Sequence, residues 1–177
     1  MADARPPVEP LLHPIEDVEA ALERGDVNSD AVRQTLAYLG SNEQWSWFYA
    51  ISDLAEMEVS LLIDGEDQCF VDWGTISRVG LNPPEGGVIP FRVWIHTHPS
   101  GNSYWSATDK HTLAIASAAR IMQSAIVLGH GEMKCAQWTA EPAESPIAYE
   151  GPLSNWTEEA VISYEEGPSP WLEGAIQ

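Results

Sequence analysis

Two of the chain's five histidines, His96 and His98, stand one residue apart at the end of the apolar run "FRVWIHTH". In an extended strand residues i and i+2 share a face, so the two imidazoles stand side by side as half of a metal site. After seven intervening residues Ser106 and Asp109 open an alanine-rich segment, which places Asp109 in the first turn of a helix with its carboxylate free to turn back toward the strand end. Two histidines and one aspartate leave the fourth position of a zinc ion to water, which is the arrangement of a catalytic site. The same residues also have a plain structural reading. Ser106 with Asp109 is what a capped helix start looks like, and a His-x-His pair alone often means nothing more than a strand end. The two patterns joined at this spacing favour the ligand reading. His111 falls elsewhere on the helix, while His13 in the irregular start and His130 in a Gly-His-Gly turn read as surface residues.

Such a constellation needs a strand, a break and a helix in that order, and the surrounding sequence supplies them. Residues 91–98 read as a buried strand, Pro99-Ser100-Gly101-Asn102 breaks it, and 106–121 is helical. Upstream, Ile15, Val18 and Leu22 space a short helix over 15–23. "NSD" at 28–30 offers caps for a second helix over 30–39, which Gly40 would end. "EQWSWFYAI" (43–51), "MEVSLLI" (57–63) and "QCFVDWGTI" (68–76) read as three consecutive strands, and 80–90 as a loop. "SAIVLG" (124–129) and "MKCAQW" (133–138) read as further strands. Trp45, Trp47, Trp73 and Trp94 fall on these strands and are assigned to the core, whereas Trp105 lies in the loop beside the proposed metal. Beyond Thr139 the sequence is acidic and loses periodicity, which predicts loops, one short helix near 157–163 and a partly ordered tail. The expected fold class is mixed α/β, a mixed sheet flanked by helices.

Composition narrows the function. The 177 residues suit one domain with short extensions, and the 44% apolar content is that of a globular protein. No apolar run approaches the ~18 to 20 residues of a membrane span, and no secretory pattern opens the chain, so the cytoplasm is the expected compartment. Twenty-seven acidic residues against 8 basic ones give a formal net charge of -19, a field that repels nucleic acid and anionic lipid and suits a basic partner or a high-salt setting. Cys69 and Cys135 lack CxxC spacing and read as reduced thiols.

His96-Thr97-His98, seven residues, Ser106, two residues, Asp109 resembles the His-x-His-x7-Ser-x2-Asp signature of the JAMM (MPN-plus) metalloproteases, and "HTHPSGN" is similar to the usual continuation of their motif. The resemblance covers roughly residues 30–138, leaving 1–29 as a partly helical extension and 139–177 as an acidic one. It implies a JAMM/MPN, cytidine-deaminase-like fold and one zinc ion per chain. It also implies an isopeptidase acting on ubiquitin or ubiquitin-like β-grasp modifiers and their conjugates, with self-association left open. Trp105 departs from the proline of many members, and the loop before the histidines is short, which implies a reduced insertion.

Zinc chemistry also needs a group that takes a proton from water and returns it to the leaving amine. The family uses a glutamate that opens a strand after a helix. Glu43 matches the helix-loop-strand order best, Glu58 opens "EVSLLIDG" and is the alternative, and Glu56 is third. Ser106 would donate its hydroxyl proton to the oxyanion formed as zinc-activated water attacks the carbonyl. Trp105 would pack against the modifier's extended tail. Two other readings compete: a metal-free MPN scaffold subunit, and a JAMM peptidase with another substrate, such as a phage-type, sulfur-carrier-processing or RadC-like enzyme. Lysine scarcity, with only Lys110 and Lys134, fits work beside a conjugation machinery and equally fits halophilic composition.

Overall fold

A computed structural model describes residues 6–74, 84–99 and 101–175, with the side chains described through 172. The expected strand end at 75–76, the first part of the 80–90 loop, Ser100 and both chain ends lie outside the described residues. The chain folds as three helices, α1 (Ile15–Glu23), α2 (Asp30–Ser41) and α3 (Trp45–Ala55), then β1 (Val59–Ile63), β2 (Cys69–Trp73) and β3 (Val93–Thr97). There follow α4 (Ala107–Ala119), β4 (Ser124–Leu128), β5 (Glu132–Gln137), a 3-10 turn (Pro152–Asn155), β6 (Ile162–Ser163) and α5 (Pro170–Ala175). Among the described residues this is a mixed α/β fold with a six-stranded sheet ordered β2-β1-β3-β4-β5-β6. Of the strands among the described residues, only β3 and β4 run parallel, joined by α4 as the crossover.

The period of two along each strand divides the core. On one face Val59, Leu61, Ile63, Val71, Ile95 and Leu128 pack against α1, α2 and α3. On the other, Leu62, Phe70, Trp94, Ala125, Val127 and Ala136 pack against Leu113 and Ala116 of α4 and against Trp156. A strand buried on both faces reads as a continuous apolar run, and "VWIHT" is one with a histidine inserted.

Four expectations need correction. Residues 43–51 are not a strand: Phe48, Tyr49, Ile51 and Ser52 form the buried stripe of helix α3. The alternation in Trp45-Ser46-Trp47 and the aromatic content imitate strand propensity, but packing against α2 and β1 decides the matter. Gly40 does not end α2, which runs on to Ser41. A Cβ at Gly40 would collide with Leu61 Cδ2 and press on Phe48, so this glycine serves close packing of helix on sheet. The helix expected near 157–163 is absent; the 3-10 turn lies earlier, and β6 pairs Ile162 with Met133. Finally, the acidic segment beyond Thr139 is woven into the fold, with Trp156 fully buried and its Nε1 donating to Leu113 O at 2.8 Å.

Both cysteines are free thiols, Cys69 buried and Cys135 half-buried. No helix among the described residues is long and apolar enough to cross a membrane.

Candidate metal centre

Strand β3 carries Trp94, His96 and His98 toward α4, and Thr97 toward the opposite layer. The ladder extends past the strand, with His98 N donating to Leu128 O at 2.9 Å, so the second histidine is held as firmly as the first. Helix α4 begins at Ser106, whose Oγ accepts Asp109 N at 3.1 Å while Asp109 Oδ2 accepts Ser106 N at 2.9 Å. That reciprocal capping box fixes the carboxylate at the helix start, pointing at the strand. The capping and ligand readings are therefore compatible.

Asp109 Oδ1 lies 3.2 Å from His96 Nε2 and Oδ2 lies 3.1 Å from His98 Nε2. The three residues are buried, and their ligand atoms all fall within 4.8 Å of one another. Tetrahedral bonds of about 2.0–2.1 Å put neighbouring ligand atoms about 3.3–3.4 Å apart, so the two His–Asp separations come close to those around a bound ion. A second observation tests the fit. Neither ring nitrogen of His96 has a well-directed hydrogen bond, although the side chain is wholly buried. Buried polar atoms are rarely left so, and a metal on Nε2 would satisfy one of them. His98 Nδ1 faces Asn102 O at 3.3 Å, a contact that turns Nε2 toward the site, as a partner behind a metal-bound histidine does.

The electrostatics follow from the packing. Burial, opposed by Asp109, holds His96 below its ordinary pKa. Burial also works against a charged His98, but the hydrogen bond and charge of Asp109, aided by Glu58, outweigh it and hold this imidazole above its usual value. Asp109 is desolvated too, yet the two histidines and the Ser106 N–H hold its carboxyl far below the carboxylate range.

The two glutamate candidates separate cleanly. Glu43 sits exposed in the turn between α2 and α3 at φ 55°, not at a strand start. Glu56 is likewise exposed, at the left-handed end of α3. The β1–β3 register pairs Ser60 with His96, so continuing it two residues further along each strand sets Glu58 opposite His98. Gly74 N donates to Glu58 O at 2.9 Å, extending β1 that far, and Val59 N donates to Thr97 Oγ1 at 3.1 Å. Glu58 shares the strand face of Ser60 and Leu62, the α4 face. Partial burial raises its carboxyl pKa, opposed by His98 and reinforced by Asp109.

Trp105 is buried at 5% exposure in the α4-side core, its ring 6.2 Å from that of His96, and cannot serve as an open platform. Tyr104 takes the exposed position instead, at 47% exposure with its ring 4.8 Å from His98. Sequence reading missed this exchange, because a loop offers no periodicity from which a side chain's direction could be read. Trp94 stacks on His96 with ring centres 4.3 Å apart. His130 is exposed as expected, His111 points to solvent from α4, and His13, expected at the surface, is half-buried with Nε2 2.7 Å from Gln34 Oε1. No protein-family model, curated protein or solved structure matches the chain.

Proposed function

We propose that this protein is a zinc-dependent peptidase of the JAMM type, cleaving isopeptide or peptide bonds that follow the C-terminal tail of a ubiquitin-like modifier. The observation that carries the reading is the convergence of buried His96, His98 and Asp109 with Glu58 one strand away. The signature resemblance and the two-nitrogen, one-oxygen donor set support zinc as the ion. When bound, zinc supplies a water of pKa about 7 and a Lewis acid for the scissile carbonyl.

The chain's own groups do the rest. Glu58, a half-buried carboxyl with a raised pKa, takes the proton of the attacking water and returns it to the departing lysine amine. Ser106 Oγ spends a lone pair on Asp109 N, which leaves its own proton free for the carbonyl oxygen as charge grows there. Tyr104, beside His98, offers an apolar wall to the extended tail. In this reading the substrates are modifier conjugates in the cytoplasm.

Elemental analysis on wild type and His98→Ala comes first, with about one zinc expected in the former and little in the latter. Glu58→Gln should keep its zinc and lose ~100-fold or more in turnover of a modifier–lysine conjugate, while Glu43→Gln should match wild type. Iron in place of zinc, or full activity in Glu58→Gln, would sink the proposal.

A further inference from the structure

The loop that leaves the histidine strand is gripped from the side by the β4–β5 turn. Ser103 N donates to Glu132 Oε1 at 3.1 Å and Ser103 Oγ donates to Glu132 O at 2.8 Å, so one residue at the start of β5 accepts both Ser103 donors. His130 N donates to Gly101 O at 2.9 Å, and Gly101 N returns to His98 O at 2.9 Å. The fit between turn and loop is close: a Cβ at Gly129 would drive into Gly101 O and Ser103 Oγ. Between those anchors lies Asn102, whose carbonyl faces His98 Nδ1 at 3.3 Å. The turn is held in its own right by Tyr164, which donates from N to Gly131 O at 3.1 Å and from its hydroxyl to Gly129 O.

We propose that Glu132 is a positioning residue of the metal centre, acting through Ser103 and the Asn102 carbonyl to orient His98, with Tyr164 of the C-terminal segment bracing the turn that presents it. This rests on the reading of His96, His98 and Asp109 as metal ligands. Glu132 is half-buried, and among the described residues no cation pairs with it, so its service to the chain is the hydrogen bond to Ser103. A ligand histidine whose outer nitrogen loses its partner typically loses 10- to 100-fold in metal affinity.

The test compares Glu132→Ala, which removes the side-chain acceptor, with Glu132→Gln, which keeps an oxygen in place. Zinc affinity of the full chain, measured by competition with a chromophoric chelator, should fall about 10-fold or more in Glu132→Ala and stay within about 3-fold of wild type in Glu132→Gln. The visible spectrum of the cobalt-substituted protein should change in the alanine variant only, a signature that lost stability alone would not produce. Equal zinc affinity and an identical cobalt spectrum in folded Glu132→Ala would overturn the inference. Should Glu132→Ala fail to fold, Tyr164→Phe decides, because it removes only the hydroxyl. Weakened zinc binding there supports the brace, and unchanged binding refutes it. Wild type that takes up neither metal would refute the underlying ligand assignment instead.

Discussion

Asp109 closes the capping box through the same Oδ2 that lies 3.1 Å from His98 Nε2, so the helix start and the candidate ligand are one group. Its partners differ in charge: burial keeps His96 neutral, whereas Asp109 and Glu58 favour a proton on His98. Asp109, depressed in the fold, contributes stability above its unfolded pKa of about 3.9 and loses it as pH falls toward the folded value. His98, raised in the fold, contributes fully below about 6.5 and loses that contribution as pH rises through its folded pKa. The metal-free pair is therefore strongest in mild acid. Zinc requires a neutral imidazole, so it must displace the His98 proton and binds better as pH rises. The gap in melting temperature between zinc-loaded and chelator-treated protein should widen from about pH 5.5 to about pH 8. A constant gap across that range would mean that His98 carries no proton for the metal to displace.

Which parts of the site could be read from sequence depends on whether one element or several fix them. The His-x-His and Ser-x-x-Asp patterns were legible because strand alternation and helix capping are local. The positions of the candidate glutamates were not: placing Glu43 and Glu58 relative to the histidines requires knowing which strand lies beside β3. The aromatic run 45–55 imitates a strand but forms helix α3, so the strand beside β3 is β1 and not the segment that Glu43 precedes. Elsewhere the helices α1, α2 and α4 and strands β1 to β5 lie where patterning puts them, with ends shifted by a few residues. The β1–β2 turn shows another interaction that no pattern announces. Buried Asp64 accepts Glu66 N at 2.9 Å, Gln68 N at 2.8 Å, Gln68 Nε2 at 2.8 Å and Val88 N at 2.9 Å, tying the turn to the loop that leads into β3. Burial opposes its charge, but these four donors win and hold the carboxyl below its ordinary pKa. Hydrogen bonds to a charged group contribute ~1.5–3 kcal/mol, and local donors partly rehydrate, so Asp64→Ala should cost roughly 2–4 kcal/mol in urea titrations. The loss should shrink as pH falls below about 4, where wild type also surrenders the carboxylate. A cost under about 0.5 kcal/mol at neutral pH would show that the turn stands without it.

At the scale of the whole molecule, the net charge of -19 sets a cost that the two-faced core must carry. Among the described residues few attractive pairs offset it: Arg92 with Asp67 at 3.1 Å is largely exposed, and Lys134 pairs, partly buried, with Glu158 at the C-terminal segment. Exposed pairs contribute at most about 1 kcal/mol, so added salt has little attraction to screen and much repulsion. The acids are not spread evenly. Glu141, Glu144, Glu158, Glu159, Glu165 and Glu166 all lie in the segment that β6 and Trp156 pin to the sheet, and that pinning opposes their mutual repulsion. As the screening length falls from about 30 Å at 0.01 M to about 3 Å at 1 M, this segment should gain most. With chelator present throughout, the melting temperature should climb by several degrees over that range. Hydrogen exchange should slow most at Ile147 N, which donates to Trp156 O at 2.9 Å, and at Tyr164 N. Exchange at strand amides shared by β1 and β3 should change less, because they lie far from these glutamates in the sheet order. A melting temperature that falls with sodium chloride would mean that attraction outweighs repulsion despite the composition. Lower ionic strength also strengthens the attraction of the net negative chain for a zinc cation, so coupling of the segment to the proposed metal centre through Tyr164 should show as a difference in the salt dependence of zinc affinity between wild type and Tyr164→Phe, and identical salt dependence would mean that the two are not coupled.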